Sequence, residues 1–135
     1  LEGVNFVMKT LGLMNGGEIF VPKIPSLRIL TLGKTLEPNF KIEFTGVRPG
    51  EKIHETLISK HDARNTIEFN NFFIIKPEIV LSDYRRDAYK NKFKKVGLDF
   101  EYSSDKNSDW LNDGEIKKMV DLFQKNAGSK IRFDE

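Results

Sequence analysis

The stretch Phe40–Glu55, FKIEFTGVRPGEKIHE, contains two patterns that decide the predicted fold. Its first six residues alternate strictly between apolar and polar side chains, which predicts a strand with one buried side, Phe40–Thr45. Proline is well suited to the first position of a helix, so Pro49 predicts that a short helix begins directly afterwards. The buried face of that helix would be formed by Ile53, Leu57 and Ile58.

The remaining sequence extends this pattern of alternating helices and strands. A short strand is predicted at Glu18–Pro22, and Thr66–Phe69 and Phe72–Ile75 are predicted to form an antiparallel hairpin. The intervening Asn70-Asn71 pair tolerates the positive φ of a tight hairpin turn. Three helical faces with i, i+3, i+4 spacing consist of Val4, Val7, Met8 and Leu11; Ile29, Leu32, Gly33 and Leu36; and Ile116, Met119, Val120 and Phe123.

The ends of the first two helices are also marked in the sequence. Asn15-Gly16-Gly17 supplies residues that tolerate a left-handed conformation and is predicted to end the first helix. Pro25-Ser26 is predicted to cap the start of the second helix, which ends before Pro38. The order helix, strand, helix, strand predicts an α/β fold rather than a helical bundle.

Length and composition limit the kind of protein this is. The chain has 135 residues, of which 39% are hydrophobic and 31% charged, as expected for one folded domain spanning residues 1–135. It has no cysteine, and a net charge of +2 is too small to indicate nucleic-acid binding. No apolar run is long enough to cross a membrane. We expect a cytoplasmic protein, with which the absence of cysteine is compatible. The helical pattern starts almost at Leu1, so we also expect a piece of a longer protein.

The chemistry of the opening stretch centres on Arg48 and Glu51. If Pro49 begins a helix, Arg48 lies beside free backbone N–H groups and the positive end of the helix dipole, which favour an anion. The planar guanidinium can hold phosphate oxygens in pairs, whereas Glu51 is suited to accept hydrogen bonds from hydroxyls. Phosphate next to hydroxyls indicates a nucleotide. The alternative is a plain helix start in which Arg48 pairs with a neighbouring glutamate at the surface.

Other motifs do not support chemistry within this chain. His54-Glu55 begins like a zinc-protease motif, but Ile58 stands where the second histidine is required. Tyr102 and Lys106 have Tyr-x-x-x-Lys spacing, yet the polar YSSDK segment lacks the apolar periodicity of the helix that such a pair needs. No G-x-G-x-x-G is present. We therefore assign no catalytic, cofactor-binding or metal-binding residue.

Four segments resemble, in order, the C-terminal third of UDP-N-acetylglucosamine 4,6-dehydratases. They are GGEIFVPKIPSLRI (Gly16–Ile29), GVRPGEKIHETLIS (Gly46–Ser59), DARNTIEF (Asp62–Phe69) and DFEYSSDKNSDWL (Asp99–Leu111). The resemblance is best to the inverting enzymes that begin pseudaminic acid synthesis, within the CapD-like polysaccharide-biosynthesis group of extended short-chain dehydrogenases.

The resemblance implies that this chain is the C-terminal substrate-binding part, and that an NADP-binding Rossmann domain with the catalytic residues is missing upstream. In the superfamily, an Arg-x-x-Asp/Glu pair binds the nucleotide, and here that pair falls on Arg48 and Glu51. Pro22 and Lys23, in the VPKIPS loop, are implied as weaker contacts, although Lys23 is equally compatible with simple solvent exposure. Asn107 has no assigned role, and Tyr102 and Trp110 are expected to be packing residues. The implied partners are a UDP-sugar and the Rossmann domain.

Two alternative functions stay open. A related branch of capsule synthesis couples the same dehydration to epimerisation of a UDP-sugar. The second alternative belongs to a different class of protein, a non-catalytic binding or assembly module. Such a module would use the basic stretch Arg85–Lys95 to contact a partner chain. The apolar face of the first helix is a further candidate surface for a homo-oligomer.

Overall fold

A computed structural model of the protein describes residues 2–79, Tyr89 and residues 93–126. The chain divides into two compact units, each described here by itself. The first combines the chain up to Ile24 with His54–Lys106, and the second combines Pro25–Ile53 with the chain from Asn107 onwards. Nowhere in the described ranges is there a helix with the length and apolar character needed to cross a membrane.

The first unit is built around a four-stranded antiparallel sheet with strand order β1-β4-β3-β5. A second sheet pairs β2 with β6, and a 3-10 turn at Asp62–Asn65 precedes β3. The elements of this unit are α1 (Glu2–Leu11), β1 (Ile19–Pro22), β2 (Thr56–Ile58), β3 (Thr66–Glu68), β4 (Phe72–Ile75), β5 (Lys94–Lys95) and β6 (Tyr102–Ser103).

Both faces of the four-stranded sheet are covered by apolar side chains. Successive residues of a strand point to opposite faces, so Phe73 and Ile74 of β4 enter two different clusters. This explains why β4 reads as the unbroken apolar run FFII rather than as an alternating strand. One cluster contains Val21, Ile58, Phe73 and Tyr102, and the other contains Ile67, Phe72, Ile74 and Tyr89.

The loop between α1 and β1 is closed by the side chain of Glu18. The Glu18 carboxylate accepts hydrogen bonds from the backbone N–H groups of Asn15, at 3.1 Å, and Gly16, at 2.8 Å. The Tyr89 hydroxyl lies 2.7 Å from the Leu13 carbonyl and 3.0 Å from Glu18 Oε1, and its single proton can be donated to either oxygen. Partial burial disfavours the charged form, but these hydrogen bonds outweigh it and hold the pKa of Glu18 below its ordinary value.

The second unit contains helices α2 (Ile29–Leu36) and α3 (Asp113–Asn126), which pack against each other. A reciprocal capping box begins α3: the Glu115 N–H donates to Asn112 Oδ1 at 3.0 Å, and the Asn112 N–H donates to Glu115 Oε2 at 2.8 Å. Of the predicted apolar stripe on α3, Ile116 and Val120 are buried.

Several sequence predictions are confirmed. The three predicted helices, strand β1 and the β3–β4 hairpin are all present. Gly16 and Gly17 have φ values of 121° and 82°, which an L side chain rarely adopts, and they follow the end of α1 as predicted. The apolar face of α1 is exposed: the relative accessible surface is between 54% and 65% for Val4, Val7, Met8 and Leu11.

The predicted strand Phe40–Thr45 is wrong, because this segment lies outside any strand. Phe40 and Phe44 are 56% and 78% exposed, so the apolar side of the alternating pattern is not buried. Alternating apolar and polar residues give an extended segment one apolar face that can be buried. A strand also needs a neighbouring strand that pairs with its backbone N–H and C=O groups. Among the residues that the structure describes, no strand pairs with residues 40–45.

Two predicted details of turns are also wrong. Ser26 does not cap α2; the residue at that position is Arg28, and Ser26 instead pairs with Trp110 in a parallel bridge. The Asn70-Asn71 turn closes the hairpin without positive φ, since within the described ranges positive φ occurs only at glycines. The hairpin still forms, with the Phe69 N–H donating to the Phe72 carbonyl at 2.8 Å.

The Glu18 network predicts a pH-dependent contribution to stability. The folded-state pKa of Glu18 is lowered, so its contribution is present above the ordinary glutamate pKa, about 4.3, and is lost as the pH falls below that value. We expect Glu18→Gln to lower the free energy of unfolding by on the order of 1 kcal/mol at pH 7. The difference from wild type should shrink at pH 3, as measured by urea unfolding at both pH values. A difference of equal size at both pH values would contradict this account, and the exposed Glu43→Gln serves as the control.

Candidate functional site

Arg48 and Glu51 are the ends of a Pro-Gly turn in the second unit. The Glu51 N–H donates to the Arg48 carbonyl at 3.0 Å, and Gly50 has a φ of 83°. Proline at the second position and a glycine with positive φ at the third define a type II turn. The side chain of Glu51 adds a second link, because its Oε2 accepts a hydrogen bond from the Arg48 N–H at 2.9 Å.

The predicted helix after Pro49 is wrong. A positive φ at Gly50 lies outside the right-handed helical region, so a helix cannot run through this residue. Of the predicted helical face, Leu57 and Ile58 lie in strand β2, while Ile53 is 76% exposed. No helix N-terminus therefore assists Arg48, and an anion at this position would be held by the guanidinium itself.

The turn leaves the charged head of Arg48 available. Arg48 is exposed, and within the described part of the chain its guanidinium makes no ion pair or hydrogen bond. Glu51 is also exposed, and its Oε1 has no partner among the same residues. Three positions apart on one turn, the two side chains present a planar cation and a hydrogen-bond acceptor to solvent.

Pro22 and Lys23 lie at the end of β1 in the first unit. Pro22 pairs with Phe72 in the sheet, and the Lys23 N–H donates to the Asn71 carbonyl at 3.0 Å. The Lys23 ammonium donates to Glu68 Oε1 at 2.6 Å and lies 4.9 Å from the centroid of the Phe73 ring. Lys23 is thus half-buried and paired with Glu68. Of the four residues predicted to bind substrate, Pro22 and Lys23 belong to the first unit, and Arg48 and Glu51 belong to the second.

Tyr102 and Lys106 do not form a catalytic pair. Tyr102 lies in β6 and is buried, and its hydroxyl donates to the Ile24 carbonyl at 2.9 Å and accepts from the Ile24 N–H at 2.8 Å. Lys106 pairs with Glu101. The structure confirms that Tyr102 is a packing residue, which anchors the chain where β1 ends.

Asn107, to which the sequence assigned no role, joins two segments of the second unit. Its Nδ2 donates to Ser26 Oγ at 3.2 Å, and its carbonyl accepts from Trp110 Nε1 at 2.7 Å. The backbone adds two links across the same junction, from the Ser26 N–H to the Asp109 carbonyl and from the Leu111 N–H to the Ser26 carbonyl. Trp110 is 41% exposed, so its indole N–H contributes to this junction while the ring stays partly in solvent.

Glu18 and the Lys23–Glu68 pair were missed by the sequence reasoning. The signal for Glu18 was available, because an acidic residue directly after two glycines is placed to accept backbone N–H groups of the turn. Glu68 had no such signal, since the register that brings it to Lys23 depends on strands distant in sequence. In the described ranges, no group of three or more His, Asp or Glu residues is arranged to hold a metal.

Comparison with known proteins places the chain in a family. The model of a family described as polysaccharide biosynthesis protein matches residues 1–77. The inverting UDP-N-acetylglucosamine 4,6-dehydratase of Campylobacter jejuni (strain 81-176) is 42% identical over 131 residues, which cover 94% of this chain and 38% of that protein. The UDP-glucose 4-epimerase of Rickettsia canadensis is 32% identical over 124 residues, which cover 89% of this chain and 36% of that protein.

The fold is shared with a solved structure. The X-ray structure of Pen from Bacillus thuringiensis matches with a TM-score of 0.70 and 21% identity, over 91% of this chain and 36% of that chain. The chain therefore belongs to the polysaccharide biosynthesis protein family, has the mixed α/β fold expected from its sequence, and spans little more than a third of the length of these relatives.

The turn at Arg48–Glu51 predicts opposite effects of alanine at two glycines. Gly50→Ala forces a positive φ on an L side chain, at a local cost of about 1–2 kcal/mol, and should open the turn. Gly33→Ala places a methyl group in open space within α2 and should stabilise the protein by up to about 1 kcal/mol. NMR measurement of amide exchange at Glu51 tests the first effect, and thermal unfolding tests the second. Unchanged protection of the Glu51 amide in Gly50→Ala would show that the turn does not depend on Gly50.

Proposed function

We propose that this chain is the UDP-sugar-binding portion of an inverting UDP-N-acetylglucosamine 4,6-dehydratase that acts in surface polysaccharide or flagellin glycan synthesis. The observation that carries the proposal is the exposed Arg48 guanidinium, which has no partner in the described part of the chain and lies on the same turn as Glu51. Its support is the 42% identity to a protein of that name over 94% of the chain.

In the proposed complex, Arg48 holds the pyrophosphate and Glu51 the ribose. A guanidinium can donate two parallel hydrogen bonds to phosphate oxygens, and its charge persists at any physiological pH. Glu51 uses Oε2 to hold the Arg48 N–H, which leaves Oε1 to accept hydrogen bonds from ribose hydroxyls. Pro22 and Lys23, which belong to the first unit, stay predictions as weaker contacts to a UDP-sugar.

Gly16 and Gly17 are not placed as a dinucleotide-binding loop requires. A dinucleotide-binding loop places its glycines after a strand and before a helix, whereas Gly16 and Gly17 come after helix α1 and before strand β1. We assign NADP, which supplies hydride chemistry at C4 and C6 of the sugar, to a Rossmann domain outside this chain. Residues of that domain would also remove water across C5 and C6 and invert C5, all in the cytoplasm.

UDP binding tests the assignment of Arg48. We expect Arg48→Ala to weaken UDP binding by about 10- to 100-fold, because a hydrogen bond to a charged group is worth about 1.5–3 kcal/mol. Lys41→Ala is the matched control, since it removes one positive charge from an exposed side chain of the same unit. Both variants can be measured by NMR titration, which detects weak binding. If both variants weakened UDP binding equally, Arg48 would contribute only through its general positive charge, and the proposal would be contradicted.

Glu51→Gln separates the ribose contact from the turn itself. Glutamine keeps an oxygen that can accept from the Arg48 N–H but removes the negative charge that strengthens bonds to the ribose hydroxyls. We expect this variant to weaken binding of UDP more than binding of 2′,3′-dideoxyuridine diphosphate in the same titration. Equal losses for the two nucleotides would argue against a ribose contact.

A second candidate function is the related UDP-sugar dehydratase and epimerase branch, favoured by the 32% identity to UDP-glucose 4-epimerase. Both candidates use the same nucleotide contacts, so they differ in the sugar and in the product. The assembly-module alternative depends on Arg85–Lys95, of which only Tyr89 and residues 93–95 lie within the described part. A homo-oligomer formed through the exposed face of α1 also remains a proposal.

We further predict that this chain alone has no turnover. It is proposed to supply substrate contacts only, so incubation with UDP-N-acetylglucosamine and NADP should leave the sugar unchanged. Mass spectrometry of the nucleotide sugar measures this directly, because loss of water lowers its mass by about 18 Da. Appearance of a 4-keto-6-deoxy product would overturn the prediction.

A further inference from the structure

The segment Phe40–Thr45 of the second unit is exposed, and no strand lies beside it in the described part of the chain. Its apolar side chains Phe40, Ile42 and Phe44 are 56%, 38% and 78% exposed. Within the described ranges, the backbone groups of residues 41–45 make no hydrogen bond. A segment with unpaired N–H and C=O groups and an apolar side is a template for pairing with another chain.

The sequence of this segment is suited to a strand once a neighbour is present. Phenylalanine, isoleucine and threonine are enriched in strands, and residues 40–45 include neither proline nor glycine. In an extended conformation, the three apolar side chains project to one face, and Lys41 and Glu43 project to the other. A partner strand must therefore match an apolar face and a face with one charge of each sign.

A second copy of the same chain supplies a strand that matches both faces. In an antiparallel pair centred on Ile42, Lys41 of each copy lies opposite Glu43 of the other copy. Both side chains are exposed and make no ion pair within the described ranges, so their charges are available. On the apolar face, Ile42 lies opposite its own counterpart, and Phe40 lies opposite Phe44. Opposite charges and aromatic side chains that lie directly opposite each other stabilise a sheet.

Charge and polarity favour this register over its neighbours. A pair centred on residue 41 would place the two Lys41 side chains opposite each other, and a pair centred on residue 43 would do the same with Glu43. Like charges directly opposite each other destabilise a strand pair. A shift by one residue would set apolar side chains opposite polar ones. A parallel pair in register would align each charge with its own counterpart.

We propose that Phe40–Thr45 is a dimerisation strand, at which two copies of this chain pair antiparallel about a two-fold axis at Ile42. Both copies use the same patch, so the contact closes on itself and gives a dimer rather than a filament. Six residues a side are far fewer than the roughly 20–30 of a stable interface, so the dissociation constant is on the order of 0.1–1 mM. The contact requires neither Arg48 nor Glu51, so it stands or fails separately from the function proposed above.

Charge reversal tests the register, with sedimentation equilibrium from about 10 µM to 1 mM as the measurement. We expect Lys41→Glu and Glu43→Lys each to weaken self-association at least about tenfold, because each replaces both opposite-charge pairs by like-charge pairs. The double variant should restore the affinity, since it exchanges the two charges and keeps both pairs. An equimolar mixture of the two single variants should also restore it, through the mixed dimer.

The matched controls are Lys34→Glu and Asp121→Lys, which change the net charge equally at exposed positions of the same unit. They should leave the dissociation constant unchanged. In NMR spectra of the unchanged chain, the amide resonances of residues 41–45 should shift with protein concentration. At concentrations well below the dissociation constant the chain is a monomer, so Lys41 and Glu43 stay suitable control positions in the experiments above.

Four results would overturn the proposal. A chain that stays monomeric at the highest concentration would leave the segment to a strand from a different protein chain. A double variant and a mixture that associate as weakly as the single variants would exclude the register. Equal weakening by the controls would show a general charge effect. Concentration-dependent shifts confined to α1 would place the contact at the exposed face of that helix.

Discussion

The side chains of strand β4 alternate between two apolar clusters, and the arrangement of the first unit depends on this double burial. Phe73 packs on one face and Ile74 on the other, and β4 is paired along both edges, with β1 on one side and β3 on the other. A shift of one residue in either pairing would exchange the two faces and expose both clusters. In the same register Phe73 lies opposite both Val21 and Glu68, which brings Lys23 to Glu68. Burial of apolar residues thus determines where the charged side chains of this unit meet.

Local signals in the sequence predicted the elements that depend on local chemistry. Helix α1, its end at Gly16-Gly17 and the β3–β4 hairpin were all predicted, since each is encoded within a few consecutive residues. The two wrong predictions concern elements that consecutive residues alone do not determine. The strand expected at Phe40–Thr45 needed a neighbouring strand, and none pairs with it in the described part of the chain. The helix expected after Pro49 depended on whether the Pro-Gly pair would begin a helix or form a type II turn. Gly50 has a positive φ in the structure, and glycine is compatible with both signs of φ, so the sequence did not decide between the turn and the helix.

For the candidate site, the sequence suggested residues by their side-chain chemistry, and the structure corrects the local geometry that was predicted around them. Arg48 and Glu51 were selected for the chemistry of their side chains, and the structure holds them together on one turn, although without the helix dipole that the sequence suggested. Lys23 and Arg48 differ in whether other side chains compensate their charges. Lys23 has its charge compensated by Glu68 and a ring face, whereas Arg48 has no compensation within the described ranges. An exposed cation on a fixed turn loses little protein-derived stabilisation when it binds an anion, which is why Arg48 is the stronger candidate. The contribution of Asn107 could not be predicted, because it depends on a contact with Ser26 across 81 residues of sequence.

The role proposed for the turn at Arg48–Glu51 is to bind a nucleoside diphosphate. A crystal structure of the chain soaked with UDP would locate the ligand. We expect phosphate oxygens within about 3 Å of the Arg48 guanidinium, ribose hydroxyls within hydrogen-bond distance of Glu51 Oε1, and an unchanged type II turn. Clear density for UDP bound elsewhere, with the Arg48 guanidinium still in solvent, would contradict it.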